Sequence, residues 1–409
     1  MAVRRMVYAK EVSEDYSSKP ERPSSKPLEC PRPPLAFNRA TLAGKEFEYI
    51  SQALALGQIS GDGAFTKKCR ALLEQTLGTG GVLLTPSCTH ALEMAALLLE
   101  LQPGDEVIVP SFTFVSTVNA FVLRGARPVF ADIRPDTLNL DESLLESLIS
   151  PRTKAIVVVH YAGVGCEMDR IMAIANVHRI PVVEDNAHGL FGKYRGRYLG
   201  TFGTFATQSF HETKNITCGE GGALLINETR HLERAEIIRE KGTNRSRFFR
   251  GEVDKYTWMD LGSSYLLSDV LAAFLYAQLE SWPAIQRQRQ HLWNRYHRGL
   301  AAWALRHQVR RPIVPAHCEQ SHHMYYLLFP SLQARQETIA RLRAQGVSSV
   351  FHYLPLHLST MGQKLGGERG ECPVTEDISD RLLRLPFYNS MTDADQDRVF
   401  EGLGAPPLD

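Results

Sequence analysis

The sequence predicts an α/β protein with a large doubly wound domain and a smaller α+β domain at its C-terminal end. Three observations predict it. Short apolar runs and helix-spaced segments alternate from about residue 80 to 190. One of those runs, "TKAIVVVHY", is apolar almost throughout, as a strand covered on both faces by helices must be. The chain has 409 residues, enough for two domains around sizeable cores.

The elements follow in order. Residues 1–35 form a Pro/Ser-rich arm: "SSKPERPSSKPLECPRPP" holds six prolines between Pro20 and Pro34. It has too little apolar surface to offset its ordering entropy. The large domain is expected over 36–285. "GVLLT" reads as a strand, and "SCTHALEMAALLLELQ" as a helix that stops at Pro103-Gly104. "DEVIVP" is a strand, "FVSTVNAFVLRG" a helix ended by Gly125, and "ARPVFADI" a strand. "EMDRIMAIANVHR" is a helix and "IPVVED" a strand; "TFATQSF" and "GALLI" are two more strands. Helices dominate after Leu224. In the small domain, 286–409, "VRRPIVP", "HMYYLLFP" and "VSSVFHYLP" suggest a second sheet.

Composition excludes several classes. Lys+Arg number 46 and Asp+Glu 45, so nothing in the charge points to nucleic acid. Seven cysteines lie scattered with no C-x-x-C pair, which suggests reduced thiols in a cytoplasmic protein. No apolar run reaches the ~20 residues that span a bilayer. The first residues hold two arginines and no apolar stretch, so no secretory leader is expected.

Chemistry concentrates around "SFHETKNITCGEGG", where Lys214 stands between two apolar stretches. Ligands of open parallel sheets sit at the carboxyl ends of the strands. "PVVED" puts Glu184 and Asp185 at such an end, and alternation turns only one of them into a site. In "TPSCTHALEM" a strand gives way to a Ser/Thr loop and a helix start, an anion cradle to which Ser87 and Thr89 add hydroxyls. In "PSFTFVST", Phe112 or Phe114 offers a flat wall. Each feature has an ordinary reading: a turn aspartate, a serine cap, core phenylalanines. Together they are the parts pyridoxal 5'-phosphate (PLP) requires: a Schiff-base lysine, a carboxylate for the pyridine nitrogen, and a phosphate site. Burial would make such a lysine a competent nucleophile.

With these motifs the chain resembles the DegT/DnrJ/EryC1/StrS sugar aminotransferases over about residues 36–400, through "SGDGAFT", "TPSCTHALEMAALLL", "VVHYAG", "EDNAHG", "SFHETKNITCGEGG" and "FHYLPLH". The resemblance implies the PLP-dependent aspartate aminotransferase fold (type I) and a homodimer with shared active sites. It makes Lys214 the Schiff-base lysine and Asp185 the partner of the pyridine nitrogen. It puts His188 beside the ring oxygen, Phe114 on the ring, and Ser87, Ser209 and the amides of Thr89 and His90 around the phosphate. His352 would meet the sugar. The stretch "EIIREKGTNRSRFFRGEVDKYTWMDLGSSYLLSD" is similar to the subgroup that moves the amine of L-glutamate to C4 of dTDP-4-dehydro-6-deoxy-D-glucose in enterobacterial common antigen synthesis. "KNITC" instead resembles relatives that aminate a UDP-linked 4-ketopentose. Two positions depart from the family pattern. Ser264 stands where many relatives carry an asparagine that reaches the partner subunit's phosphate, and Asn186 stands where alanine is usual.

Three other readings compete with this one. Dehydratases of the same family have histidine where Lys214 stands. A regulatory module without catalysis has no need of Lys214, Asp185 and the phosphate loop together. A metal site from His322, His323, His352 and His357 lacks usual zinc spacing, so no metal is expected.

Overall fold

The computed structural model describes residues 33–406. Residues 1–32 of the expected arm lie outside the described residues. Leu35, at the arm's end, departs from the expectation: it is buried in the C-terminal core and pairs through its backbone with Gly346 and Ser348. A leucine within reach of a core is worth ordering, so the arm's boundary falls before it.

Two helices, α1 (Glu46–Ala55) and α2 (Ala64–Leu77), precede strand β1 (Gly81–Thr85). Then come α3 (Cys88–Leu98), β2 (Glu106–Pro110), α4 (Ser116–Val122), β3 (Arg127–Ala131) and β4 (Thr153–Val159). After α5 (Met168–His178) and β5 (Val182–Asp185), strands β6 (Phe205–Ser209) and β7 (Gly222–Ile226) complete a seven-stranded sheet. Its spatial order is β1-β7-β6-β5-β4-β2-β3. Burial on both faces explains the apolar runs. In β4, Ala155 and Val157 enter the core on one side, and Ile156 and Val158 the core on the other.

The sheet is mixed. β7 runs antiparallel to both neighbours, with Ser209 opposite Gly222 on one side and Thr85 opposite Gly222 on the other. The reason lies in residues 210–221. They contain no helix, and a parallel return would need a crossover, usually helical. The hairpin brings the end of β1, the end of β6 and the start of β7 to the edge where β5 also ends.

The expected division between 285 and 286 falls inside one helix. After α6 (Asp269–Glu280), α7 (Trp282–Gly299) begins with Ile285 in the core of α1, α2 and α6. Further along, its Leu292, Trp293 and Tyr296 enter a separate C-terminal core. The C-terminal sheet is smaller than the sequence suggested. Of the three expected strand segments only "HMYYLLFP" holds a strand, β8 (Tyr326–Leu328). Its partner is β9 (Leu382–Arg384), with Tyr326 opposite Arg384. "VRRPIVP" contributes one isolated bridge, at Arg310, and "VSSVFHYLP" two, at Val347 and Val350; prolines nearby remove backbone donors.

Candidate active site

The site is built at the carboxyl edge of the sheet. Beyond β1, Ser87 caps α3: its Oγ accepts the His90 N–H at 3.2 Å. Gly222 passes directly beneath that turn. A Cβ there would fall 2.4 Å from the Ser87 carbonyl carbon and the Cys88 nitrogen, so only glycine lets β7 come so close.

At the end of β5 the two acids part, as strand alternation requires. Glu184 turns away from the site. It accepts the N–H groups of Gly200, Phe202 and Gly203, each at 2.7 Å, and faces His160 Nε2 at 2.8 Å. Asp185 turns in. It is 5% exposed and takes a hydroxyl from Thr117 at 2.7 Å and the Ala187 N–H at 3.2 Å. Burial raises its pKa, against those two donors and the charge of Lys214.

Lys214 sits in the β6–β7 connection, which its own backbone holds rigid. Phe210 N–H donates to Gly221, Cys218 N–H to Phe210, and Lys214 N–H to the His211 carbonyl, all at 2.8–2.9 Å. The side chain enters a cavity of about 620 Å³ shared with Asp185. Burial lowers its pKa from 10.5 to about 8, opposed by Cys88 and Asp185 and helped by Arg384. It is therefore close to the neutral amine that attacks a carbonyl.

Ser87, Thr89, Phe114, His188, Ser209 and His352 line the same cavity. Phe114 is 56% exposed and lines the cavity, whereas Phe112 is buried against Tyr161 and Tyr353. The His188 ring stacks on His323 at 4.3 Å, and burial drives both toward the neutral form. His352 Nδ1 meets the Tyr161 hydroxyl at 2.9 Å. One expected residue is not among those lining the cavity: His90. Its N–H is already engaged by Ser87 and its ring packs 5.4 Å from Tyr265. Ser264 is exposed and bridges to Glu240. Asn186 is buried behind the site, donating to the Leu199 carbonyl at 3.0 Å.

The four histidines of the metal rival are not brought together. His357 bonds to Ser111 and Glu376, and His322 packs edge-on to Trp293. Among the described residues no group of three or more His, Cys, Asp or Glu could hold a metal ion.

Sequence reasoning missed Thr117, Arg384 and the role of Asn215. Asn215 follows Lys214 and donates to the Ser321 carbonyl at 2.7 Å. That fixes its oxygen toward His323 Nδ1, at 2.8 Å, and so makes His323 an Nδ1–H tautomer. Its adjacency to the lysine was the available signal. Arg384 stood as one of two arginines among the leucines of "RLLRLP".

A mixed α/β sheet with a desolvated lysine and a strand-end aspartate in one cavity is the architecture of a lysine-dependent group-transfer enzyme. Comparison with known proteins gives the family. The model of the DegT/DnrJ/EryC1/StrS aminotransferase family matches residues 41–404, and the chain belongs to that family. It is 33% identical to the uncharacterized protein MJ1066 of Methanocaldococcus jannaschii over 340 residues, 81% of this chain and 87% of that one. The structure resembles the aminotransferase TlmJ from Streptoalloteichus hindustanus, with a TM-score of 0.83 and 31% identity over 90% of this chain and 98% of that one. It also resembles Spr1654 from Streptococcus pneumoniae in its PLP form, with a TM-score of 0.84 and 27% identity over 90% and 97%. Spr1654 has been solved in a PMP form as well.

Proposed function

We propose that this aminotransferase uses PLP to move the amino group of L-glutamate to C4 of dTDP-4-dehydro-6-deoxy-D-glucose. The products are dTDP-4-amino-4,6-dideoxy-D-galactose and 2-oxoglutarate. The observation that carries the reaction type is the pairing of Lys214 and Asp185 in one cavity.

The residues present fit PLP. Asp185 is a buried carboxylate with only a hydroxyl and an amide donor, and a pyridinium N–H is the cation it calls for. His188 Nδ1 is buried with no hydrogen-bond partner, which suits a ring oxygen. Ser87, Thr89 and Ser209 offer hydroxyls beside the start of α3, where a phosphate is stabilised. When bound, PLP supplies the electron sink that lets the C–H bond beside an amine ionise.

The chain's own residues do the rest. With PLP bound, Asp185 would hold the pyridine nitrogen protonated. Phe114 covers one face of the site, and His352 meets the sugar. Lys214 Nζ, with its lowered pKa, takes the proton from the donor's α-carbon and later delivers one at C4 of the sugar. Delivery to one face of C4 sets the galacto configuration. Substrate identity is supported by residues 236–269, the stretch that resembles the dTDP-4-amino-4,6-dideoxygalactose transaminases of enterobacterial common antigen synthesis. A UDP-4-ketopentose is the second reading, favoured by "KNITC". We also propose a homodimer with shared active sites. Its support is the exposed apolar side chains Phe47, Phe249, Trp258, Met259 and Leu261. Residues 36–285 would hold PLP and residues 286–409 close over it, with α7 as the joint. No helix among the described residues is long and apolar enough to cross a membrane, and a cytoplasmic setting is proposed with the reaction.

The test is a panel of nucleotide-linked 4-keto sugars with glutamate, read by product mass. Amination of the dTDP-hexose is expected. Amination of the UDP-pentose alone would move the chain to the second reading, and no amination of any would end the proposal.

A further inference from the structure

Two motifs of the sequence, "VVHYAG" and "FHYLPLH", meet beside the reaction cavity through one hydrogen bond. Tyr161 stands just past the carboxyl end of β4. Its N–H donates to Asn139 Oδ1 at 2.8 Å, and its ring packs against Phe112, Tyr326 and Tyr353 with centroids 5.1, 5.8 and 6.3 Å away. The side chain is buried, and its hydroxyl has a single hydrogen-bond partner among the described residues, His352 Nδ1 at 2.9 Å. The chain that carries His352 is pinned on both sides of it. Val350 exchanges backbone hydrogen bonds with Arg384 at 2.7 and 3.3 Å, and Leu356 N–H donates to the Ser111 carbonyl at 3.1 Å. His357 strengthens the second anchor: its Nδ1 meets Ser111 Oγ at 2.6 Å and its Nε2 meets Glu376 at 3.1 Å. Residues 351–354, held between these points, all line the cavity.

A buried hydroxyl hydrogen needs an acceptor, and the one at hand is the Nδ1 lone pair. Were Nδ1 protonated, it would donate to the phenol oxygen and leave the phenol hydrogen unpaired away from water. Burial keeps both groups uncharged: it pushes the Tyr161 phenol up and the His352 imidazole down. A neutral imidazole carries one N–H, so with Nδ1 accepting, the proton lies on Nε2. Nε2 has no partner among the described residues, and its ring lines the cavity. His323 in the same cavity is set the opposite way, with its proton on Nδ1. We infer that Tyr161 is a positioning residue: its hydroxyl fixes His352 as an Nε2–H donor that faces the cavity and receives an oxygen of the keto sugar. A ketone, a ring ether and a phosphate accept hydrogen bonds and do not donate them, so an N–H suits them where an imidazole lone pair would repel. The sugar as recipient rests on the function proposed above; the fixed tautomer does not.

The test uses the PLP-loaded full-length protein with isotope-labelled histidine. Nuclear magnetic resonance reads the tautomer, and the His352 signal is assigned by its absence in His352→Gln. The wild type should carry the proton on Nε2, and Tyr161→Phe should show a mixture of the two tautomers. A wild-type proton on Nδ1, or a tautomer indifferent to Tyr161→Phe, would overturn the inference. The two half-reactions are then followed separately in single turnover by absorbance. Tyr161→Phe should weaken apparent affinity for the dTDP-linked keto sugar ~10-fold, the size of one neutral hydrogen bond, while the glutamate half-reaction keeps its rate. His352→Gln has an N–H and no tautomer to fix, so adding Tyr161→Phe to it should cost little more. Full additivity of the two changes, or equal loss in both half-reactions, would make Tyr161 a packing residue and overturn the inference too. If Tyr161→Phe does not fold, the wild-type signal decides alone. If the tautomer is fixed as described and no keto sugar is aminated, the proposed function falls and the role of Tyr161 stands.

Discussion

Lys214 lies at the centre of the site, and its burial can be read in two experiments. Lys214→Ala should reduce turnover at least ~1000-fold, since no other group in the cavity combines a free amine with this placement. The melting temperature should stay close to the wild type, and borohydride reduction of the PLP-loaded wild type should leave the pyridoxyl group on Lys214 in peptide mapping. A label on another lysine would refute the assignment. The second experiment uses the cofactor-free protein. The ammonium has a pKa near 8 when folded against 10.5 when free. Between those values the unfolded chain binds more protons, so stability rises with pH across that window. Lys214→Met lacks the buried charge. It should therefore be more stable than the wild type below pH 8, with the gain fading to nothing by about 10.5. A melting difference that ignores pH would show that the ammonium is not desolvated. Asp185→Asn should lower kcat ~100-fold or more while PLP affinity falls less, because the phosphate contacts remain. Near-normal kcat would assign the pyridine nitrogen to another group.

The element that assembles the site is the β6–β7 hairpin with the cap of α3 above it. Gly222→Ala places a methyl group 2.4 Å from the backbone of Ser87 and Cys88. Neither strand nor helix start can yield cheaply, so the variant should lose about 1–3 kcal/mol in urea unfolding and bind PLP more weakly. A variant as stable as the wild type would mean that the turn is not packed as described. Much of this was legible. The apolar runs of β1 to β7 are found where period and length placed them, because burial on both faces leaves no polar positions to blur the pattern. Asp185 and Ser87 drew attention by standing at a strand end and just before a helix start, and Lys214, five residues past β6, by the apolar stretches on either side of it and the glycines that follow. Other features were not. β9 is three residues long, too short for a period, so Arg384 passed unnoticed. His90 was placed at the phosphate by resemblance, yet its N–H closes the Ser87 cap, a bond set by local geometry that residue identity does not reveal. The reversal of β7 depends on the lack of a helix between 210 and 221, a negative signal that only a finished topology makes visible.

At the scale of the molecule, the exposed apolar residues decide what the protein is in solution. Phe249 and Trp258 are 71% and 76% exposed, and exposed apolar patches mark interaction surfaces. If the proposed dimer forms through this surface, Trp258→Glu should shift sedimentation from dimer to monomer, and activity should be lost in step with the dimer if the sites are shared as proposed. A fully active monomer would show that one chain holds a complete site. The rest of the chain's size goes into the scaffold: one core on one face of the sheet, two on the other, and a C-terminal core that α7 joins to the core of α1, α2 and α6.

The pairing of β1 with β7 has a consequence for synthesis. Gly81 pairs with Ile226, across roughly 140 residues of intervening chain. β1 cannot reach β6 except through β7, which lies between them. At translation rates of ~5–20 residues per second, β1 waits ~7–30 s after leaving the ribosome before its partner is made. Throughout that interval an apolar strand has an unfilled edge, and the loop after β1 lacks the lysine hairpin beneath it. The nascent chain therefore has no reactive amine in a cofactor pocket until the sheet has closed, and a helper that shields β1 during those seconds should raise the yield of folded enzyme more than one acting on the finished chain.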